Sequence, residues 1–83
     1  SLVALAGHAV KLGYNVVYYT LELGEDYVGR RFDAYFTELP ANEVMFHKEQ
    51  IEEVMTKLPG KLIITAETFE PSDQRTAWLV WVF

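Results

Sequence analysis

The chain has no cysteine, so neither a disulfide staple nor a thiolate metal site can be built from it. That absence suits a reducing compartment. It has no apolar run approaching the ~18–20 residues needed to span a bilayer. Ser1–Val10 is apolar but lacks a basic leader and a cleavage site, so it does not read as a targeting segment. Basic charge is scarce: seven Lys and Arg stand against twelve Asp and Glu, a net charge of −5. Phosphate neutralisation supplies most of the affinity of a free-standing nucleic-acid binder, and this chain lacks the means for it. The isolated chain is therefore not expected to bind nucleic acid. Two further absences concern nucleotides. There is no GxxxxGK[ST] phosphate-binding loop, and no apolar strand ending in the magnesium-binding Asp of a Walker B element. No internal repeat or low-complexity segment interrupts the chain.

What remains is a globular composition, 51% apolar and 23% charged over 83 residues, enough for one small domain. A domain of this size buries only a modest core. The chain opens directly in a helix-like pattern without Met, which reads as an internal piece of a longer protein. Leu2, Leu5, Ala6, Ala9 and Leu12 recur at three- and four-residue spacing and predict a helix over about 1–12. Ser1 is placed to cap it, and Gly13 to stop it. Val3 and Val10 widen the apolar arc, which predicts cover on more than one side.

Residues 15–23, NVVYYTLEL, are β-branched and aromatic, and predict a strand. Val16, Tyr18, Thr20 and Glu22 would face one way, and Val17, Tyr19, Leu21 and Leu23 the other. Both faces are largely apolar, as in a central strand of a parallel sheet covered on both sides. A second helix is predicted over about 25–36. Glu25 and Asp26 sit in its first turn, Asp26 and Arg30 form an i,i+4 pair, and Tyr27, Val28, Phe32, Ala34, Tyr35 and Phe36 form its apolar arc. Glu38-Leu39-Pro40 breaks it. A third helix is predicted over about 44–58 on the stripe Val44, Ile51, Val54, Met55 and Leu58, ended by Pro59-Gly60. Residues 61–66 predict a second strand, parallel to the first because helices separate them. Pro71-Ser72-Asp73 reads as a turn. Residues 76–83, TAWLVWVF, read as a buried or edge strand or as an exposed apolar tail.

Glu22 stands out chemically. Ligands of open α/β sheets sit outside the carboxyl ends of the strands. A carboxylate there can orient and deprotonate a water beside a substrate phosphate. The plainer alternative is a solvated charge where the strand has ended. Arg31 falls between Ala34, Tyr27 and Tyr35 on a helical wheel, inside the apolar arc, so its guanidinium needs a partner or a route to water. Glu22 is within reach as that partner, and a snorkelling side chain is the alternative. His8 and His47 lack a carboxylate pattern and read as packed or partly exposed neutral imidazoles; no metal site is expected. No nucleophile–base signature is present.

Residues 2–34, LVALAGHAVKLGYNVVYYTLELGEDYVGRRFDA, resemble the segment that follows the Walker A loop in DnaB-like replicative helicases, and look closest to those of phages. That family has a helix, a strand ending in an S-L/M-E-M box, then a helix with an Arg about nine residues after the Glu (set beside the strand-edge logic above). Here the box is Thr20-Leu21-Glu22-Leu23, and the Arg is Arg31. The resemblance implies a partial RecA-like three-layer α/β sandwich spanning 1–83, with both Walker elements outside it. It implies ATP and Mg2+ as cofactors of the parent, neighbouring subunits of a hexameric ring and single-stranded DNA as its partners, and a cytoplasmic location in a bacterial cell or phage-infected host. It makes Glu22 the catalytic base and Arg31 a supporting residue. Ser1 is not the magnesium-binding hydroxyl, because the Walker Lys-Ser/Thr would precede it by about two residues. No cofactor is expected on the isolated chain. The resemblance loosens over 44–66 and fails from Pro71, so that 71–83 is an atypical tail, as a truncated or frameshifted reading frame would produce. Two other readings stand beside it: another RecA-like ATPase, of the recombinase or clock type, and a non-catalytic α/β interaction fragment.

Overall fold

The computed structural model describes residues 1–67 and 78–82. Helices and a parallel sheet alternate in an α/β arrangement. The order is α1 (Leu2–Lys11), β1 (Asn15–Tyr19), α2 (Glu25–Thr37), a 3-10 turn at Val44–Phe46, α3 (Lys48–Thr56), β2 (Leu62–Thr65) and β3 (Trp78–Val82).

α1 begins as expected. The Ser1 hydroxyl accepts the Ala4 amide at 3.2 Å, satisfying one of the orphan donors of the first turn. Gly13, at φ 100°, ends it in a conformation that favours glycine. Its buried face keeps most of the expected arc and departs from it at Leu5 and Leu12. Val3, Ala6, Gly7, Ala9 and Val10 are buried, while Leu5 and Leu12 are 60% and 63% exposed. α1 comes close to α2 at Gly7. A β-carbon on Gly7 would lie within 2.5 Å of the Tyr35 ring, so only a glycine fits at this contact. Val3 and Val10 are buried as the widened arc predicted, and α1 is covered on more than one side, by α2 and by β1.

β1 is the central strand, in the order β2-β1-β3, and both pairings are parallel. Val16 pairs with Leu62 and Leu79, and Tyr18 with Ile64 and Trp81. The expected strand over 15–23 is shortened to 15–19. Thr20 adds one more ladder bond, its amide donating to the Thr65 carbonyl at 3.0 Å, and its hydroxyl then donates to the Leu23 carbonyl. That second bond bends 20–23 into a loop and ends the alternation.

Val16 and Tyr18 face the helices and join one core with Val3, Ala6, Ala9, Val10, Val28, Phe32 and Phe36. Tyr18 meets Phe32 edge to face at 5.1 Å, and Phe32 lies 6.2 Å from Phe36. Leu62 and Ile64 of β2 and Val54, Met55 and Leu58 of the α3 region pack against this core. All three helices thus serve one face of the sheet. Among the described residues the fold has two layers, and no helix covers the face that carries Val17.

The third helix departs most from expectation. Residues 44–58 form a 3-10 turn and a shorter α3, separated at His47 (φ −128°, ψ 42°). Only Val44 of the expected stripe is fully buried; Ile51, Val54, Met55 and Leu58 are half-buried. The break turns Met45 and Phe46 outward, to 63% and 75% exposure. After α3 the chain approaches α1 closely at Gly60, whose amide donates to the Val10 carbonyl at 3.1 Å. A β-carbon there would stand 2.7 Å from the same oxygen.

The tail contributes a parallel edge strand over 78–82. Its expected beginning at Thr76 and the turn at Pro71-Ser72-Asp73 lie outside the described residues.

Candidate functional site

The carboxyl end of β1 carries the candidate site. Residues 21–23 leave the strand as an exposed loop and α2 begins at Glu25. Glu22 is in that loop, exposed, and has no hydrogen-bond or ion-pair partner among the described residues. It is therefore beyond the strand and not a member of it, and the alternating-face placement does not hold. Its carboxylate is free to accept a proton or to orient a water.

Arg31 does not pair with Glu22. It is exposed, and its guanidinium donates to the Tyr27 hydroxyl at 3.2 Å, one helical turn back. The charge also lies 5.8 Å from the centre of the Tyr27 ring. This is the snorkelling alternative: the stem runs along α2 and the head reaches water. The expected Asp26–Arg30 pair is not formed; the ion pair found among the described residues joins Lys57 and Glu53 on α3 at 3.1 Å.

A cleft of 310 Å³ opens between the start of α1, the end of β1 and α2. Ser1, Leu2, Val3, Tyr18, Leu23, Val28 and Arg31 line it. Glu22 immediately precedes Leu23 in the chain but is not among the residues that line the cleft. Sequence reasoning placed Arg31 here but missed Tyr18. This residue is 2% exposed, yet its hydroxyl has no hydrogen-bond partner among the described residues. Burial pushes the Tyr18 phenol up from its ordinary value, and the Arg31 charge offsets part of that shift. The available signal was a polar-tipped aromatic on the apolar face of a strand, one position from its end.

A second cleft, of 420 Å³, lies between α2 and α3. Arg30, Asp33, Lys48 and Glu52 rim it over Val44, Met45 and Ile51. Burial raises the Asp33 carboxyl from its ordinary value. His8 and His47 are both exposed and far apart in the chain, His8 within α1 and His47 at the break before α3. Among the described residues no cluster of His, Asp and Glu could hold a metal ion, and no helix is long and apolar enough to cross a membrane. Comparison with protein-family models, with curated protein sequences and with solved structures found no match.

Proposed function

We propose that the chain is part of the ATPase motor of a DnaB-type replicative helicase, with Glu22 as the base that activates the hydrolytic water. The observation that carries this reading is an exposed, unpartnered carboxylate just beyond the carboxyl end of a central parallel strand. That is where open α/β sheets place their ligands. The TLEL box and the Arg nine residues after the Glu support it from sequence. In the parent, a phosphate-binding loop ahead of α1 would hold Mg-ATP, and ring neighbours and single-stranded DNA would complete the motor. A second helical layer from the parent, on the sheet face opposite α1, α2 and α3, would make the RecA-like three-layer sandwich. Arg31, tethered to Tyr27, would help to position charge at the strand end.

The same strand-end Glu would serve a recombinase or clock-type ATPase. A coding sequence with a helicase N-terminal domain upstream favours the helicase. The third reading, a fragment without catalysis of its own, is favoured by the missing phosphate loop and applies to the 83-residue chain alone.

The test is the parent protein carrying Glu22→Gln. ATP hydrolysis is expected to fall by roughly 10²–10⁴-fold with nucleotide binding retained, the range of a lost general base. Unchanged hydrolysis would sink the assignment. For the 83-residue chain, calorimetric titration with Mg-ATP is expected to give no heat of binding.

A further inference from the structure

We propose that the cleft at the end of β1 is a binding site for a small monocarboxylate with an apolar body, held by the Tyr18 hydroxyl and the Arg31 guanidinium. The proposal concerns the 83-residue chain and does not depend on the ATPase reading, although it shares Arg31 and the start of α1 with it, so that in the parent Mg-ATP would contend for the same cleft.

The first observation is the orphaned hydroxyl. Tyr18 is 2% exposed, lines the cleft, and has no hydrogen-bond partner for its hydroxyl among the described residues. A buried hydroxyl without a partner forfeits the hydrogen bond that water would have given it, and buried tyrosines ordinarily find one. A tyrosine phenol is protonated at neutral pH at its ordinary value, and burial raises it further, so the hydroxyl can donate to an acceptor.

The second observation is the charge and the free backbone donors that line the cleft with it. Arg31 brings a permanent cation to the same cleft. The Leu2 and Val3 amides open α1 and have no acceptor within the helix, whereas Ala4 and Leu5 are satisfied by Ser1. Among the described residues no Asp or Glu lines the cleft. The site therefore offers donors and positive charge and asks for an anion.

The third observation sets the kind of anion. Leu2, Val3, Leu23 and Val28 make most of the wall. Among the described residues that line it Arg31 is the single cationic side chain, and the chain as a whole carries −5. A polyphosphate would be poorly neutralised and would leave the aliphatic wall unused. A carboxylate matches the planar fork of one Arg, accepts the Tyr18 proton with a remaining lone pair, and can carry an apolar body onto the wall. The cleft's 310 Å³ is at the lower end of the volumes that hold small organic ligands, which suits a body of one ring or a short branched chain.

The experiment is a titration of the 83-residue chain with 3-phenylpropionate, followed by amide chemical shifts in heteronuclear NMR. Inorganic phosphate and uncharged 3-phenylpropanamide serve as comparison ligands. The expected result is saturable movement of the Leu2, Val3, Leu23 and Arg31 amides, with a dissociation constant on the order of 1 mM. Phosphate and the amide should each bind at least about tenfold more weakly. Tyr18→Phe, which keeps the ring and the core, should weaken the carboxylate about five- to tenfold. Arg31→Gln, at an exposed position, should weaken it at least about tenfold. No saturable shift at these amides overturns the proposal. So does equal binding of the amide, which removes the charge requirement, or tighter binding of phosphate, which removes the apolar one. An unchanged affinity in Tyr18→Phe overturns the role of the orphan hydroxyl.

Discussion

The α1–β1–α2 unit and the stretch that follows it hold different shares of the interior. Of the eleven apolar side chains buried among the described residues, ten lie before Glu38 and only Val44 after it. α3 has no fully buried residue, and all four residues of β2 are half-buried. Both regions have regular elements with amphipathic patterns. The difference is that the first encloses its apolar residues between two helices and a strand, whereas the second leans on that core from one side. Pattern alone makes an element; enclosure makes it carry stability.

The largest expected effect falls on the first region. Phe32 is 1% exposed and touches both Tyr18 and Phe36. Phe32→Ala is expected to cost about 3–5 kcal/mol, the range for removing a buried aromatic, and that would unfold much of a domain this small. Val54→Ala, at a half-buried place in α3, should cost about 1 kcal/mol, nearer the centre of ordinary substitutions. Urea unfolding of the two variants checks the contrast. Equal losses would show that the two regions share one core evenly.

Gly60 tests the seam between the regions. It lies in the second, yet its amide bonds the Val10 carbonyl of the first, and a β-carbon would press on that oxygen at 2.7 Å. The obstacle is backbone and cannot rotate away. Gly60→Ala is expected to destabilise by about 1–3 kcal/mol, as overpacking does. A variant as stable as the parent chain would mean that the β2 side can move off α1 without loss.

The same contrast runs through what the sequence made legible. β1 as a central parallel strand, the Ser1 cap, the Gly13 stop and the span of α2 follow from local chemistry, and the structure has them. The long third helix does not appear, because Val44 is claimed by the α2 side of the core and the chain must turn at His47 before α3 can start. Periodicity could not reveal that competition. In α1 the stripe set Leu5 and Leu12 beside Ala6 and Ala9, and the structure buries the alanines but leaves those two leucines exposed. The approach of Tyr35 to Gly7 is a property of the pair of helices and not of either one. At the candidate site, strand position alone pointed to Glu22. Tyr18 stayed hidden because a sequence shows that a tyrosine is on an apolar face but not whether its hydroxyl has found an acceptor.

The smallest expected effect is a pH dependence at the rim of the second region. Asp33 projects from α2 toward the cleft that Lys48 and Glu52 close from α3. Burial raises its folded-state pKa above the ordinary 3.8. Between those two values the folded chain holds a proton that the unfolded chain has released, so stability falls as pH rises through the window. This is the reverse of a carboxylate held down by a salt bridge, which stabilises as pH rises. Asp33→Asn removes the titration, so its melting temperature should decline less than the parent chain's from about pH 4 upward, starting from the ordinary carboxylate range. The difference should be small, because Asp33 is half-buried and water still reaches it. Thermal melts of both chains across mildly acidic pH measure it. Parallel melting profiles would show that the α2–α3 cleft is wet enough to leave Asp33 an ordinary carboxylate, and that the second region adds even less enclosure than its half-buried side chains suggest.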